Sequence, residues 1–176
     1  MTVVRSVAIV LLLAVPVGAA SAQAQAPQAD ATTPEVTAPP AVWSADTGDV
    51  WLDTWLADTN TYAARYRGAF VDELVRYQGA PRSFVVELLD AGARPADVYL
   101  ACATAQALGR TCREIVGQWR LDPAGGWREV LAGLGADAGS EPLTRVRRGL
   151  VSSFDRWARP IRLDAALRRA FPDREG

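Results

Sequence analysis

PADVYLACATAQALGRTCREIVGQW, residues 95–119, decides the fold class of this chain, because it shows where one helix starts, where it stops and where the next begins. Pro95 suits a first helical position, where a missing N–H costs nothing. Val98, Ala101, Cys102, Ala105 and Leu108 recur at helical spacing and share a face. Gly109 can then take the left-handed conformation that ends a helix. Thr111 and Glu114 form a capping box ahead of Ile115, Val116 and Trp119, so a second helix follows at once.

The same signals recur on both sides of this stretch. Upstream, Tyr62, Tyr66, Phe70, Leu74 and Tyr77 fall on one helical face that ends near Gly79. Pro81 suits another helix start, with Phe84, Val85, Leu88 and Leu89 forming an apolar stripe before Gly92. Downstream, a turn over residues 122–126 leads to a short helix with Trp127, Val130, Leu131 and Leu134, stopped by Gly135. Pro142 opens a longer amphipathic helix with Leu143, Val146, Leu150, Phe154 and Trp157 on one face; Pro160 separates it from a last segment with Leu163, Leu167 and Phe171. Strands are the alternative around Val85-Val86 and Val98-Tyr99-Leu100, but neither run alternates and both are flanked by helix signals. The expected fold is therefore all-α: one domain over residues 43–176, with six to eight mostly short helices in an orthogonal array.

Residues 1–22 read as a secretory signal peptide: Arg5, then an apolar run over residues 7–17, then Ala20-Ser21-Ala22 as a cleavage site. That run is far shorter than the roughly 20 residues needed to span a bilayer, so no transmembrane anchor is expected in the mature chain. Residues 23–42, rich in Ala, Gln, Thr and Pro, read as a disordered linker, and the domain after it as periplasmic or secreted.

In such a compartment the two cysteines, Cys102 and Cys112, form a candidate disulfide. Helix geometry argues against it. Six residues of helix alone separate them by about 9 Å along the axis, whereas a bridge needs Cα atoms within about 7 Å. A sharp bend at Gly109 would reconcile the two, and a pair of buried thiols is the alternative.

The absences in the composition remove whole mechanisms. The chain has no His and no Lys, and its single Met is the first residue. Ser-His and Cys-His nucleophile pairs, histidine zinc sites, Schiff bases and the P-loop lysine all fall away. Positive charge rests on Arg alone and is unevenly placed. Residues 23–64 carry six acids and no Arg, whereas residues 145–176 carry nine Arg against four acids. The acidic leading segment around Asp46, Asp49, Asp53 and Asp58 is expected to lie against the basic C-terminal helix; alternatively that helix binds an anionic partner.

Arg145, Arg147, Arg148, Arg156 and Arg159 are accordingly the anion-surface candidates, although the surface helix of an ordinary soluble domain looks the same. Nucleic acid is not an expected partner of an exported protein with near-zero net charge. The six Trp could stack on sugars, but their spacing beside Leu and Val favours burial. Acid pairs for glycoside hydrolysis are Asp53 with Asp58, Asp72 with Glu73, and Glu87 with Asp90, none marked out beyond spacing. No catalytic, metal or cofactor residue is assigned.

Residues 126–135, Gly-Trp-Arg-Glu-Val-Leu-Ala-Gly-Leu-Gly, followed by Gly139-Ser140, resemble a GWG-x-IA-x-x-LG…PGS-x-EF signature. That signature belongs to uncharacterised small exported helical proteins of proteobacteria. The likeness spans residues 126–143 and extends weakly back through residues 95–99. Arg128 replaces the second Gly, Leu131 the Ala, Ala138 the Pro and Leu143 the aromatic residue. The resemblance implies a small helical envelope protein and carries over no catalytic residue. The expected role is therefore a non-enzymatic binding module for an envelope protein or anionic surface. An envelope hydrolase and a membrane-surface factor are the alternatives.

Overall fold

Ten consecutive residues, 96–105, are buried in one helix, and the rest of the domain is arranged around it. The computed structural model describes residues 43–174. The segments assigned to the signal peptide and the linker, with the final two residues of the chain, lie outside the described part. Among the described residues are eight α-helices and no strand: α1 (Val50–Arg65), α2 (Arg67–Gln78), α3 (Arg82–Asp90), α4 (Pro95–Leu108), α5 (Cys112–Trp119), α6 (Gly126–Gly133), α7 (Glu141–Arg156) and α8 (Ala165–Ala170). A short 3-10 turn at Pro123–Gly125 precedes α6. No helix among the described residues is long and apolar enough to cross a membrane.

Helix α4 is in contact with α1, α2, α3, α5 and α7. Its sequence is nearly all small or apolar, so there is no side it must turn to water, and a helix apolar all round belongs in the interior. The single face read from its sequence is thus too narrow. Around it, Leu52 and Leu56 of α1, Phe70 and Leu74 of α2, Val85 of α3, Ile115 of α5 and Leu150 and Phe154 of α7 are buried to near completeness.

Several helix ends form where the local chemistry requires. Asp49 caps α1 by accepting from the Leu52 N–H at 2.9 Å. Gly109 closes α4 at φ 66°, and Thr111 and Glu114 satisfy each other's backbone N–H groups at the start of α5. Ser140 and Asp164 cap α7 and α8 as Asp49 caps α1, accepting from the Leu143 and Leu167 N–H groups. One expected helix is divided: the run from Tyr62 to Tyr77 breaks at Tyr66, which adopts φ −126°, ψ 49°. The bonds Tyr66 N–H to Tyr62 and Phe70 N–H to Tyr66 survive the break, so it is a one-residue kink. Tyr62, Phe70 and Leu74 thereby face the core, while Tyr66 and Tyr77 do not.

Cys102 and Cys112 are joined by a disulfide. The separation expected along a helix axis does not apply, because the left-handed turn at Gly109 folds α5 back onto α4. The Cα atoms stand 4.3 Å apart.

The leading segment docks on α6. Trp127 N–H donates to the Ala45 carbonyl at 3.0 Å, and Arg128 pairs with Asp46 at 2.7 Å. Gly126 lies at φ 73°, and a Cβ there would come within 3.3 Å of the Asp46 Cβ. Trp127 itself is buried, stacks on Trp119, and donates its indole N–H to Asp97 at 2.9 Å. The Gly-Trp pair of the quoted signature thus does structural work, fastening the domain's first residues to its centre.

Candidate functional site

Glu73 is a carboxylate on the buried face of α2, only 3% exposed, and with its partners it lines a cleft between α2, α4 and α7. Positions 72 and 73 are adjacent on a helix and so point about 100° apart. Asp72 turns outward to Arg82, and Glu73 turns inward to α7. There Arg156 grips it with two groups: Nε donates to Oε2 at 2.9 Å, and Nη2 donates to Oε1. The Ser153 hydroxyl donates to Oε1 at 2.6 Å. That donation uses the one proton Ser153 has, so the contact of 2.8 Å to Tyr99 must be the phenol donating to Ser153. The result is a directed chain, Tyr99 to Ser153 to Glu73, closed by Arg156, which ties α4, α7 and α2 together. Burial pushes the Tyr99 phenol above its ordinary range, and the Glu73 bonds hold the Arg156 guanidinium above its own.

The cleft has a volume of about 290 Å³. Its wall on α7 is Arg145, Val146, Gly149 and Arg156, which share one helical face; Ala103 and Ala107 of α4 lie opposite. Arg156 stands 3.8 Å over the ring of Tyr77, and the Gln106 amide donates to the Tyr77 carbonyl at 2.5 Å. Gln78 lines the same cleft, and its buried side-chain oxygen has no hydrogen-bond partner. Gly149 matters here because it has no side chain: a Cβ at that position would meet nothing within 4 Å.

The five anion-surface candidates do not form one free basic face. Arg147 pairs with Asp164 and with Asp49, whose Oδ2 lies 3.2 Å from Nε in an ion pair without hydrogen-bond alignment, and it packs over Trp51. Arg156 is held by Glu73, and Arg159 grips Asp58 at 2.7 and 2.8 Å. Arg145 donates to the Ala107 carbonyl in the last turn of α4, at 2.7 Å, and of the five, Arg145 and Arg148 are exposed and have no ion-pair partner among the described residues. The acidic leading segment therefore does lie against the C-terminal basic region, through Asp49 and Asp58.

The acid pairs separate in the same manner. Asp53 accepts from Thr47, Asp58 from Arg159 and Asp90 from Arg67, and Glu87 is exposed. Among the described residues, no group of three acids or cysteines is placed to hold a metal ion.

The chain matches no known protein family, no characterised protein and no solved structure. Its site must be read from its own geometry. Sequence reasoning found Glu73 only as half of an adjacent pair and did not single out Tyr99, Ser153 or Gln78. One signal was present. Glu73 lies three residues from Phe70 and Ser153 three from Leu150, so each is a polar residue on an otherwise apolar face.

Proposed function

We propose that this chain is an exported, non-enzymatic binding module whose ligand sits in the cleft between α2, α4 and α7. The observation that carries the reading is the cleft itself, a preformed concavity of about 290 Å³ with apolar walls and one fixed polar end. Glu73, Ser153, Tyr99 and Arg156 satisfy one another and form that end. Ligand sites are typically such preformed pockets, apolar with a few placed polar groups. Export is supported by the residue pattern over 1–22, by the resemblance over 126–143, and by the Cys102–Cys112 bridge, a bond that persists in oxidising compartments.

The membrane-surface alternative draws little support, since Arg147, Arg156 and Arg159 are neutralised by carboxylates of the same chain. The hydrolase alternative needs two converging acids, and the acids considered for it are bonded elsewhere or, in Glu87, lie in solvent. The cleft is tested by filling it. Gly149→Leu places a good helix former on α7 and occupies the space, so ligand-observed NMR with a library of small polar molecules should lose its hits while the fold's melting temperature does not fall. Hits that bind Gly149→Leu as they bind the wild type contradict the assignment. The export component is tested by N-terminal sequencing of envelope-fraction protein, with Gln23 or Gln25 expected as the first residue.

A further inference from the structure

Helix α7 ends in a left-handed turn made by an alanine. Ala158 lies at φ 52°, a conformation that glycine adopts freely and an L side chain rarely does. Pro160 prevents α7 from running straight on, so the chain leaves the helix there. Beyond Arg159 the backbone groups of the C-terminal arm, residues 159–174, bond one another only, among the described residues. The main chain of the arm meets α1 at the Arg162 carbonyl, which accepts from the Trp51 indole N–H at 2.7 Å. Ile161 and Leu167 are buried, whereas Leu163 and Phe171 pack only in part. Ion pairs complete the attachment: Arg159 grips Asp58 of α1 at 2.7 and 2.8 Å, Asp164 pairs with Arg147 of α7, and Arg174 pairs with Asp155 at 2.7 Å. Residues 159–174 carry five Arg against two Asp, and residues 43–158 carry thirteen Arg against fifteen acids, so a cationic arm lies on a slightly anionic body. The leading segment is the contrast. Its hold includes a main-chain bond from Trp127 to Ala45 and the buried Thr47 hydroxyl on Asp53, neither of which depends on a cation.

We propose that residues 159–174 are a strap over a docking face on α1, apart from the cleft, and that the strap opens as a unit and lets this face take the strap of a second copy of the chain. The face is Trp51, Trp55 and Asp58, which follow one another at helical spacing on one side of α1 and are all half-buried. Its indole N–H and its carboxylate are the groups the strap engages, through the Arg162 carbonyl and the Arg159 guanidinium. A second copy's strap presents the same groups in the same order, so exchange keeps every bond, and an opened hinge no longer needs the left-handed alanine.

Two measurements on the full chain test this. Amide hydrogen exchange should run at least about tenfold faster over residues 160–174 than in α4, and about threefold faster again when the ionic strength rises from about 0.1 M to about 1 M. The Trp127 amide should not respond to that change. Arg159→Gln should act on the strap as salt does, and Ala158→Gly, which suits the closed turn, should slow its exchange. Exchange between copies is read by sedimentation of Asp58→Arg, of Arg159→Asp and of their mixture. Each variant alone sets like charges against each other within a copy and between copies, so each should stay monomeric. Mixed, the two should form a heterodimer in which one strap restores the native pair and the other its reverse. A strap that exchanges as slowly as α4, or that ignores salt, overturns the opening. A mixture that sediments as the sum of two helical monomers, or dimers of either variant alone, overturn the exchange between copies. Loss of the helical circular dichroism spectrum in both variants would make Asp58–Arg159 part of the fold itself, and overturns the proposal too.

Discussion

Glu73 and Arg156 show how much a single buried charge constrains. A carboxylate at 3% exposure is tolerated because three donors reach it, and removing one strands it. Arg156→Ala should therefore destabilise the domain by about 2–4 kcal/mol, less than a fully buried pair because the guanidinium keeps some contact with water. Arg148→Ala, at an exposed position, should change stability by less than about 0.5 kcal/mol. Urea denaturation of the two variants measures both. Asp97 is the opposite kind of carboxylate. Burial raises its pKa, and the Trp127 N–H and nearby Arg94 only partly offset that. With a folded pKa above the unfolded value of about 3.9, the folded state holds the proton more tightly. Stability attributable to Asp97 thus falls as pH rises from that value through the folded pKa, and the cost persists at neutrality. Asp97→Asn, which keeps an acceptor for Trp127, should gain stability relative to wild type over that rise. Melting curves across the pH range would contradict this if the two proteins changed in parallel.

Helix boundaries were legible wherever a specific residue enforces them. Pro95, Gly109 and the Thr111–Glu114 box mark ends that the chain adopts, because each satisfies or removes a backbone group regardless of what packs nearby. The kink at Tyr66 was not legible, since Arg65-Tyr66-Arg67 carries no breaker and only the packing of α1 and α2 on α4 requires it. The bridge was half legible: its residues were visible, but its geometry depended on the direction the chain takes after Gly109. Replacing Cys102 and Cys112 together with Ala should cost about 2–3 kcal/mol from the freed chain entropy of a ten-residue separation. Thiol labelling should find no reactive cysteine, even in denaturant, until a reductant cleaves the bridge. At the start of α6, Gly126→Ala should destabilise by about 1–3 kcal/mol, combining a left-handed backbone with the close approach of Asp46. A stability equal to wild type would mean that the leading segment does not dock there.

At the scale of the molecule, the uneven charge of the chain resolves largely inside it. Acids of the leading segment and arginines of the C-terminal third meet as Asp49–Arg147 and Asp58–Arg159, about a hundred residues apart in sequence and neighbours in the fold. Net neutrality was readable from composition, and the charge separation and the all-helical class from the order of the residues. The cleft was not, because it is made by α2, α4 and α7 together and one of its walls is an absent side chain at Gly149. Neither has a linear pattern. Two-dimensional amide NMR of the protein titrated with hits from a library of small polar molecules tests the central claim most directly. The shifts should cluster at Glu73, Tyr77, Gln78, Ala103, Val146 and Gly149, the residues that line the cleft. Saturable shifts confined to another face, or none at millimolar ligand, would contradict it.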